Sequence, residues 1–379
     1  MRKFLSFIAI AAMCGTVFTS CSDDDEPAPG PIIEPNPTTV TDGVFILNAG
    51  NAYNNINGGL TYISTEGDVM KDAFASVNGR TLGGTPNDII VHGGKVYIVS
   101  TDENTVEVIN KYTFQSVKQI STTELMGADK GKQPRHLTAG GQYVFVSTYD
   151  GYVAAIDTAS YEATVYEAGS YPEGMILSGN TLYVANSDYS YVTNASISAI
   201  HLQTGDATLY TDELITNPQS FAAIGNALYF LDWGSYDASY NQTGAGIRKI
   251  ENGTITNVAP ATLMAANPES GLIYIINAPY TYPATPVTYS VYDTKTDKLT
   301  KFIDGDDIES PAAIAVDPVT GAVFITSYRM DADTGYADYF SDGYVRVYSP
   351  DGMFVKEYET GVGPVTVTFN HNTYEVTNE

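Results

Sequence analysis

The side chains best suited to chemistry in this chain follow a recurring proline. Asn87 and Asp88 follow Pro86, Arg135 and His136 follow Pro134, Glu173 and Gly174 follow Pro172, and Gln219 and Ser220 follow Pro218. Amides, a guanidinium, an imidazole and carboxylates at equivalent places of a repeat form a ring able to hydrogen-bond one ligand from several sides. The same groups would equally hold trapped water. As an enzyme the set is incomplete. Asp88 and Glu173 are cation ligands by type, but Arg135 beside them opposes a metal. The chain has no Gly-x-Ser-x-Gly elbow, no His-Glu-x-x-His and no phosphate loop. Asp331-x-Asp333-x-Gly335 through Asp342 departs from a calcium loop, with Tyr336 where the sharp-turn glycine belongs. We therefore expect a binding protein that is not an enzyme, with no catalytic residue, no bound metal and no cofactor.

A second group of candidates is aromatic. Segments rich in Tyr and Asn run from Asn48 to Gly59, Asn186 to Asn194, Asp232 to Gly244, Asn277 to Pro286 and Ser327 to Gly343. Long loops add little closure entropy, but placing Trp and Tyr on them brings no folding benefit. Tyr offers large area, a hydroxyl and few rotors, as recognition loops require. The candidate ligand-binding residues are thus Tyr53, Asn87, Arg135, His136, Tyr149, Tyr171, Tyr189, Gln219, Trp233, Tyr236, Tyr280, Tyr328 and Arg329.

The elements that position them read as a repeat. Each unit has Pro, two residues, an apolar pair, Gly, an alternating strand such as Leu-Tyr-Val, a second alternating strand and a third after a turn. Units open at Pro86, Pro134, Pro172, Pro218, near Pro260, at Pro311 and at Pro364. The Pro364 unit stops after one strand, and the segments Gly43–Leu47 and Leu60–Ile63 supply what it lacks. Strand periodicity, Gly-bearing turns and a period of roughly 40 to 50 residues select an all-β, seven-bladed β-propeller over 42–379, closed by N-terminal strands joining the C-terminal one. In that architecture the aromatic loops share one face, while turns such as Asp157–Ser160 on the other are short.

The N-terminus carries the remaining chemistry. Met1-Arg2-Lys3 and an apolar run to Phe18 have the size of a signal-peptide core rather than a membrane span. Small residues lead into Cys21, the order of a bacterial lipoprotein signal, so 1–20 is expected to be cleaved and Cys21 acylated. Cys14 leaves with the signal, and the mature chain then has no disulfide. Segment 21–41 holds the acylated cysteine, the acidic run Asp23-Asp24-Asp25-Glu26 and a Pro-rich linker. Losing Arg2 and Lys3 takes the basic count from 18 to 16 against 44 acids. That charge repels phosphate backbones and anionic lipid, excluding nucleic acid and leaving lipid chains as the membrane attachment.

The lipoprotein start, the Pro-x-x-[Ile/Leu]…Gly…Leu-Tyr-Val…Val-x-Val-Ile-Asp unit and the Tyr/Asn loops together resemble the YncE-like seven-bladed surface lipoproteins of Bacteroidetes, and among these the BtuG-type cobalamin-binding proteins. The acidic run resembles their surface-export signal. The resemblance implies a lipid-anchored protein on the exterior of the outer membrane that binds cobalamin, as a transported ligand, and passes it to a TonB-dependent transporter. Two other classes remain: a surface glycan-binding propeller, since Trp and Tyr also stack on sugars, and a propeller hydrolase or lyase. The anchor is checked by Cys21→Ala, which should leave a folded protein absent from the outer-membrane fraction; retention there would contradict the lipidation reading.

Overall fold

The computed structural model describes residues 37–375, so the signal segment, Cys21 and the acidic run lie outside the described residues. Val, Ile, Tyr and Phe at alternating positions favour pleated strands, and glycines with left-handed backbone close the turns, as at Gly93, Gly141, Gly179 and Gly225. The result is seven antiparallel sheets that each contain a path of four strands, and a separate two-stranded ribbon of Ser235–Tyr236 and Gln242–Thr243. The second sheet shows the pattern: Pro86–His92, Lys95–Ser100, Thr105–Asn110 and Ser116–Ser121 follow one another as hairpins. The third sheet begins at Pro134–Gly140, the fourth at Pro172–Ser178, the fifth at Pro218–Ile224, the sixth at Leu263–Asn267 and the seventh at Ser310–Val316.

The first sheet is assembled from both ends of the chain. Its order is Pro364–Glu375, Pro37–Asn48, Gly59–Ser64 and Val69–Met70. The strand Pro37–Asn48 begins inside the segment read as linker. Proline at the first position of a strand sacrifices no interior ladder bond.

Apolar clusters lie between consecutive sheets. Phe45 and Leu60 of the first pack with Ile89 and Ile98 of the second; Val99 meets Val144, Phe145 meets Leu182, Ile197 meets Phe230, Ile247 meets Ile273 and Ile276 meets Ile325. Phe324 and Val345 of the seventh pack with Val44 and Ile46 of the first. With both faces of each sheet covered, second strands such as Lys95–Ser100 and Ala227–Asp232 are buried almost throughout. The fourth strands are largely exposed, and some carry lysine, with Lys118 in Ser116–Ser121 and Lys301 in Lys298–Ile303. Lysine on an outer edge discourages pairing with another chain.

This is the all-β, propeller-like architecture expected from the repeat. Two short helices, Ala73–Asn78 and Thr122–Met126, had no counterpart in the sequence reading. Ser121 caps the second by accepting a hydrogen bond from the Glu124 N–H.

Deleting residues 364–379 removes the strand beside Pro37–Asn48 and bares a ladder edge. The expected outcome is aggregation or loss of a cooperative melt in circular dichroism, and a soluble truncation melting like the parent would contradict this role.

Candidate functional site

The repeat proline sets up the same local geometry in sheet after sheet. A register shift follows it between Pro86 and Asp88, Pro134 and Leu137, Pro172 and Met175, Pro218 and Ser220, and Pro311 and Ala313. Such bulges turn the next side chains away from the ladder. The residue before the proline is left-handed at Thr85, Gln133 and Tyr171, a backbone that β-branched and bulky residues rarely adopt. Its carbonyl accepts an N–H from the residue just after the second strand: Thr101 to Thr85 at 3.0 Å, Tyr149 to Gln133 at 3.2 Å, Ser187 to Tyr171 at 3.0 Å and Trp233 to Asn217 at 2.9 Å. Tyr149 and Trp233 are therefore equivalent positions of the repeat, fixed at the mouth by one recurring bond.

The first strands of the second, third and fourth sheets converge on Glu173, whose side chain is 4 % exposed. Its carboxylate accepts from Arg135 Nε at 3.0 Å, faces His136 Nε2 at 3.4 Å and accepts from the Tyr149 hydroxyl. Arg135 Nη1 donates to Asn87 Oδ1 at 2.9 Å, and Asn87 Nδ2 returns a bond to the Arg135 carbonyl at 2.7 Å. His136 Nδ1 lies 3.3 Å from Asp88 Oδ2, which also accepts from the Leu137 N–H at 2.8 Å. The network closes electrically, with two cations against two carboxylates.

Burial alone would lower the His136 pKa, but hydrogen bonds to Asp88 and Glu173 and their charges hold it up at about 9. Burial would raise Glu173, yet the bond from His136 and the Arg135 charge hold it below the ordinary carboxylate range. Burial and the Glu173 charge push the Tyr149 hydroxyl well up. The imidazole therefore stands protonated, each nitrogen turned to a carboxylate. Asp88 and Glu173 are committed to these partners rather than open to a cation. Among the described residues no group of three or more His, Cys, Asp or Glu is placed to hold a metal.

Above this network sits a tyrosine cluster. The Arg135 guanidinium lies 4.7 Å over the Tyr149 ring. Tyr149 packs edge-on against Tyr171 at 5.1 Å and Tyr189 at 5.9 Å, and Tyr171 reaches Tyr191 at 6.3 Å. Tyr189 and Tyr191 remain 56 % and 66 % exposed, so the cluster is open to solvent. Asp188, buried beneath, accepts from the Thr193 and Asn194 N–H groups and from the Ser170 hydroxyl. Asp188, Tyr189 and Val192 are all left-handed, strain that this anchoring maintains.

The structure thus brings together Asn87, Arg135, His136, Tyr149, Tyr171 and Tyr189. Gln219 is buried and spends Nε2 on Asn217 Oδ1 at 2.6 Å. Trp233 donates Nε1 to the Thr262 carbonyl at 2.9 Å and is 39 % exposed. Its loop is tied to the next, where Gln242 N–H donates to the Tyr280 carbonyl at 2.7 Å; Tyr236 and Tyr280 stand exposed on these two loops. Tyr328 packs on Tyr339 at 4.9 Å, Arg329 pairs with Glu309 at 3.7 Å, and Tyr53 is fully exposed. None of these last positions is in contact with the tyrosine cluster through the ring pairs or hydrogen bonds described above. Sequence reasoning missed Tyr191 and Asp188, although the Asn186–Asn194 segment was singled out. It also missed that Glu173 organises the ring, a pairing between sheets that spacing along the chain does not report.

Fold and site define a β-propeller with a built polar and aromatic face. Residues 42–363 match the family described as a domain of unknown function (DUF5074), and the chain belongs to it. Among solved structures it is similar to a candidate 6-phosphogluconolactonase of Bacteroides uniformis, at TM-score 0.56 and 11 % identity over 87 % of this chain and 100 % of that one. A candidate 6-phosphogluconolactonase of Bacteroides fragilis gives TM-score 0.57 and 12 % identity over 87 % and 98 %. At such identity the likeness establishes the fold alone. No curated protein matches the sequence.

The raised pKa makes the His136 contribution pH-dependent with a definite sign. It is complete below the unfolded value of 6.5 and disappears as pH rises through about 9. The lowered Glu173 acts oppositely, contributing above its unfolded value of 4.5 and failing as pH falls further. The melting-temperature gap between the parent and His136→Gln should be largest near pH 6 and shrink by pH 10, corresponding to at most about 3 kcal/mol; a gap independent of pH would contradict the charged-imidazole assignment.

Proposed function

We propose that this protein binds a corrinoid over the open tyrosine face and hands it to a TonB-dependent transporter from a lipid anchor on the outer membrane, without catalysing a reaction. The observation that carries this reading is the four-tyrosine cluster of Tyr149, Tyr171, Tyr189 and Tyr191 set over a charge-balanced hydrogen-bonding network. A corrinoid is wide, has apolar ring faces and is rimmed by amides, so it needs aromatic walls beside polar groups without excess charge. Arg135, Asn87 and Gln219 were expected to meet those amides directly, but Gln219 spends Nε2 on Asn217 Oδ1. The bond of Arg135 to Glu173 and those between Arg135 and Asn87 give these two first a holding role. The anchor and the cell-surface location rest on the Cys21 and acidic-run resemblance.

A hydrolase remains the second reading, because the similar solved structures carry a lactonase description and His136 sits at the mouth. Against it, both imidazole nitrogens face carboxylates, which leaves no basic nitrogen to accept a proton. The protein should therefore hydrolyse 6-phosphogluconolactone no faster than buffer.

Calorimetric titration with cyanocobalamin tests the main reading. Tyr189→Ala and Trp233→Ala should each weaken binding by about 2 kcal/mol and Tyr53→Ala by far less, with melting checked. Affinity should change little between low and high salt. No binding by the parent would end the corrinoid reading and favour a glycan ligand; binding unaffected by all three changes would put the ligand on another part of the face.

A further inference from the structure

Five arginines fall among the described residues, and four pair with carboxylates: Arg80 with Glu107, Arg135 with Glu173, Arg329 with Glu309, and Arg346 with both Asp307 and Glu357. Arg248 does not. Among the described arginines it is the exception. Arg248 is also buried, at 8 % exposure on the strand Gly246–Glu251. Its Nη2 donates to the Gly244 carbonyl at 2.5 Å and Nη1 to the Ile247 carbonyl at 3.4 Å, while Nε is buried with no partner. A guanidinium taken out of water with an empty donor loses solvation that nothing in the chain restores.

The nearest acid by influence, Asp232, is spoken for. Its two oxygens accept from the Thr216 N–H and hydroxyl, the Asn217 N–H and the Gly234 N–H. Arg248 meanwhile lines an open cavity of about 490 Å³ whose wall includes Thr216, Ser235, Thr243, Asn257 and Pro260. The tyrosine cluster does not line it. Arg248 holds together two features that call for an anion: an unpaired buried donor and adjoining space with hydroxyl groups.

We propose that this cavity is a second binding site, separate from the tyrosine face, in which Arg248 takes the carboxylate of a small organic monoanion. A guanidinium edge matches a carboxylate through two parallel N–H···O bonds. The volume left beyond the carboxylate admits a short polar body that the Ser235 and Thr243 hydroxyls would contact. Exposed Glu213 on the cavity wall and the negative charge of the chain disfavour polyanions.

The test is thermal melting and calorimetry of the purified full chain with graded acetate at fixed ionic strength, with phosphate and chloride as parallel arms. Acetate should raise the melting temperature above chloride, because a ligand of the folded state alone stabilises it. Arg248→Met should abolish the rise, and Arg248→Gln, which keeps a donor for Gly244, should bind acetate about tenfold or more weakly. Cyanocobalamin binding should be the same in these variants as in the parent, so failure here is distinguishable from failure of the corrinoid reading. An acetate effect no larger than that of chloride, or unchanged in Arg248→Gln, would overturn the site. A phosphate effect exceeding that of acetate would overturn the carboxylate assignment, and loss of cyanocobalamin binding would overturn its separateness.

Discussion

A carboxylate withdrawn from water must be met by donors, and Glu173 is the one on which the mouth of this propeller depends. Arg135, His136 and Tyr149 all address it, and through Asn87 and Asp88 it ties together the first strands of three consecutive sheets. Removing one partner of such a buried pair typically costs about 3–5 kcal/mol, because a bare charge remains. Replacing the whole set by apolar residues would often cost less, so stability alone does not require it. What the network adds is position: it fixes the Tyr149 ring under the guanidinium, and Tyr149 in turn supports Tyr171 and Tyr189.

Backbone geometry serves the same end. The bulge after each repeat proline turns polar side chains away from the ladder, and the left-handed residue before it offers its carbonyl to the start of the aromatic loop. Gly174 lets the fourth and fifth sheets approach, since a Cβ there would lie 2.5 Å from the Gln219 carbonyl oxygen. The left-handed backbone at Asp188, Tyr189 and Val192 fits a loop shaped for presentation, held by the Asp188 hydrogen bonds.

Strands were legible in the sequence because their signals are local. Proline, the apolar alternation and turn glycines repeat at a period that can be read along the chain, and the need of Pro364–Glu375 for partners from the N-terminus followed from counting strands. The aromatic segment Asn186–Asn194 was legible for the same reason. Ala73–Asn78 and Thr122–Met126 were not, because helices of one to two turns lack enough residues for a 3.6 period to emerge. The start of the first strand at Pro37 was hidden by its prolines, which read as linker. The pairing of Arg135 with Glu173 joins residues 38 apart in sequence and in different sheets. Spacing named both residues but suggested polar groups waiting for a ligand, where the fold made them partners. Arg248 is the opposite case: the fold gives its guanidinium backbone carbonyls but no carboxylate, and leaves Nε without a partner.

The proposed ligand position, over the tyrosine cluster, can be located directly. Cobalt provides a direct marker, since its anomalous X-ray scattering locates the metal of cyanocobalamin in a crystal of the complex without reference to the protein. One cobalt peak is expected on the face bearing Tyr149, Tyr171, Tyr189 and Tyr191. A cobalt peak on the opposite face, among the short turns such as Asp157–Ser160, would contradict it.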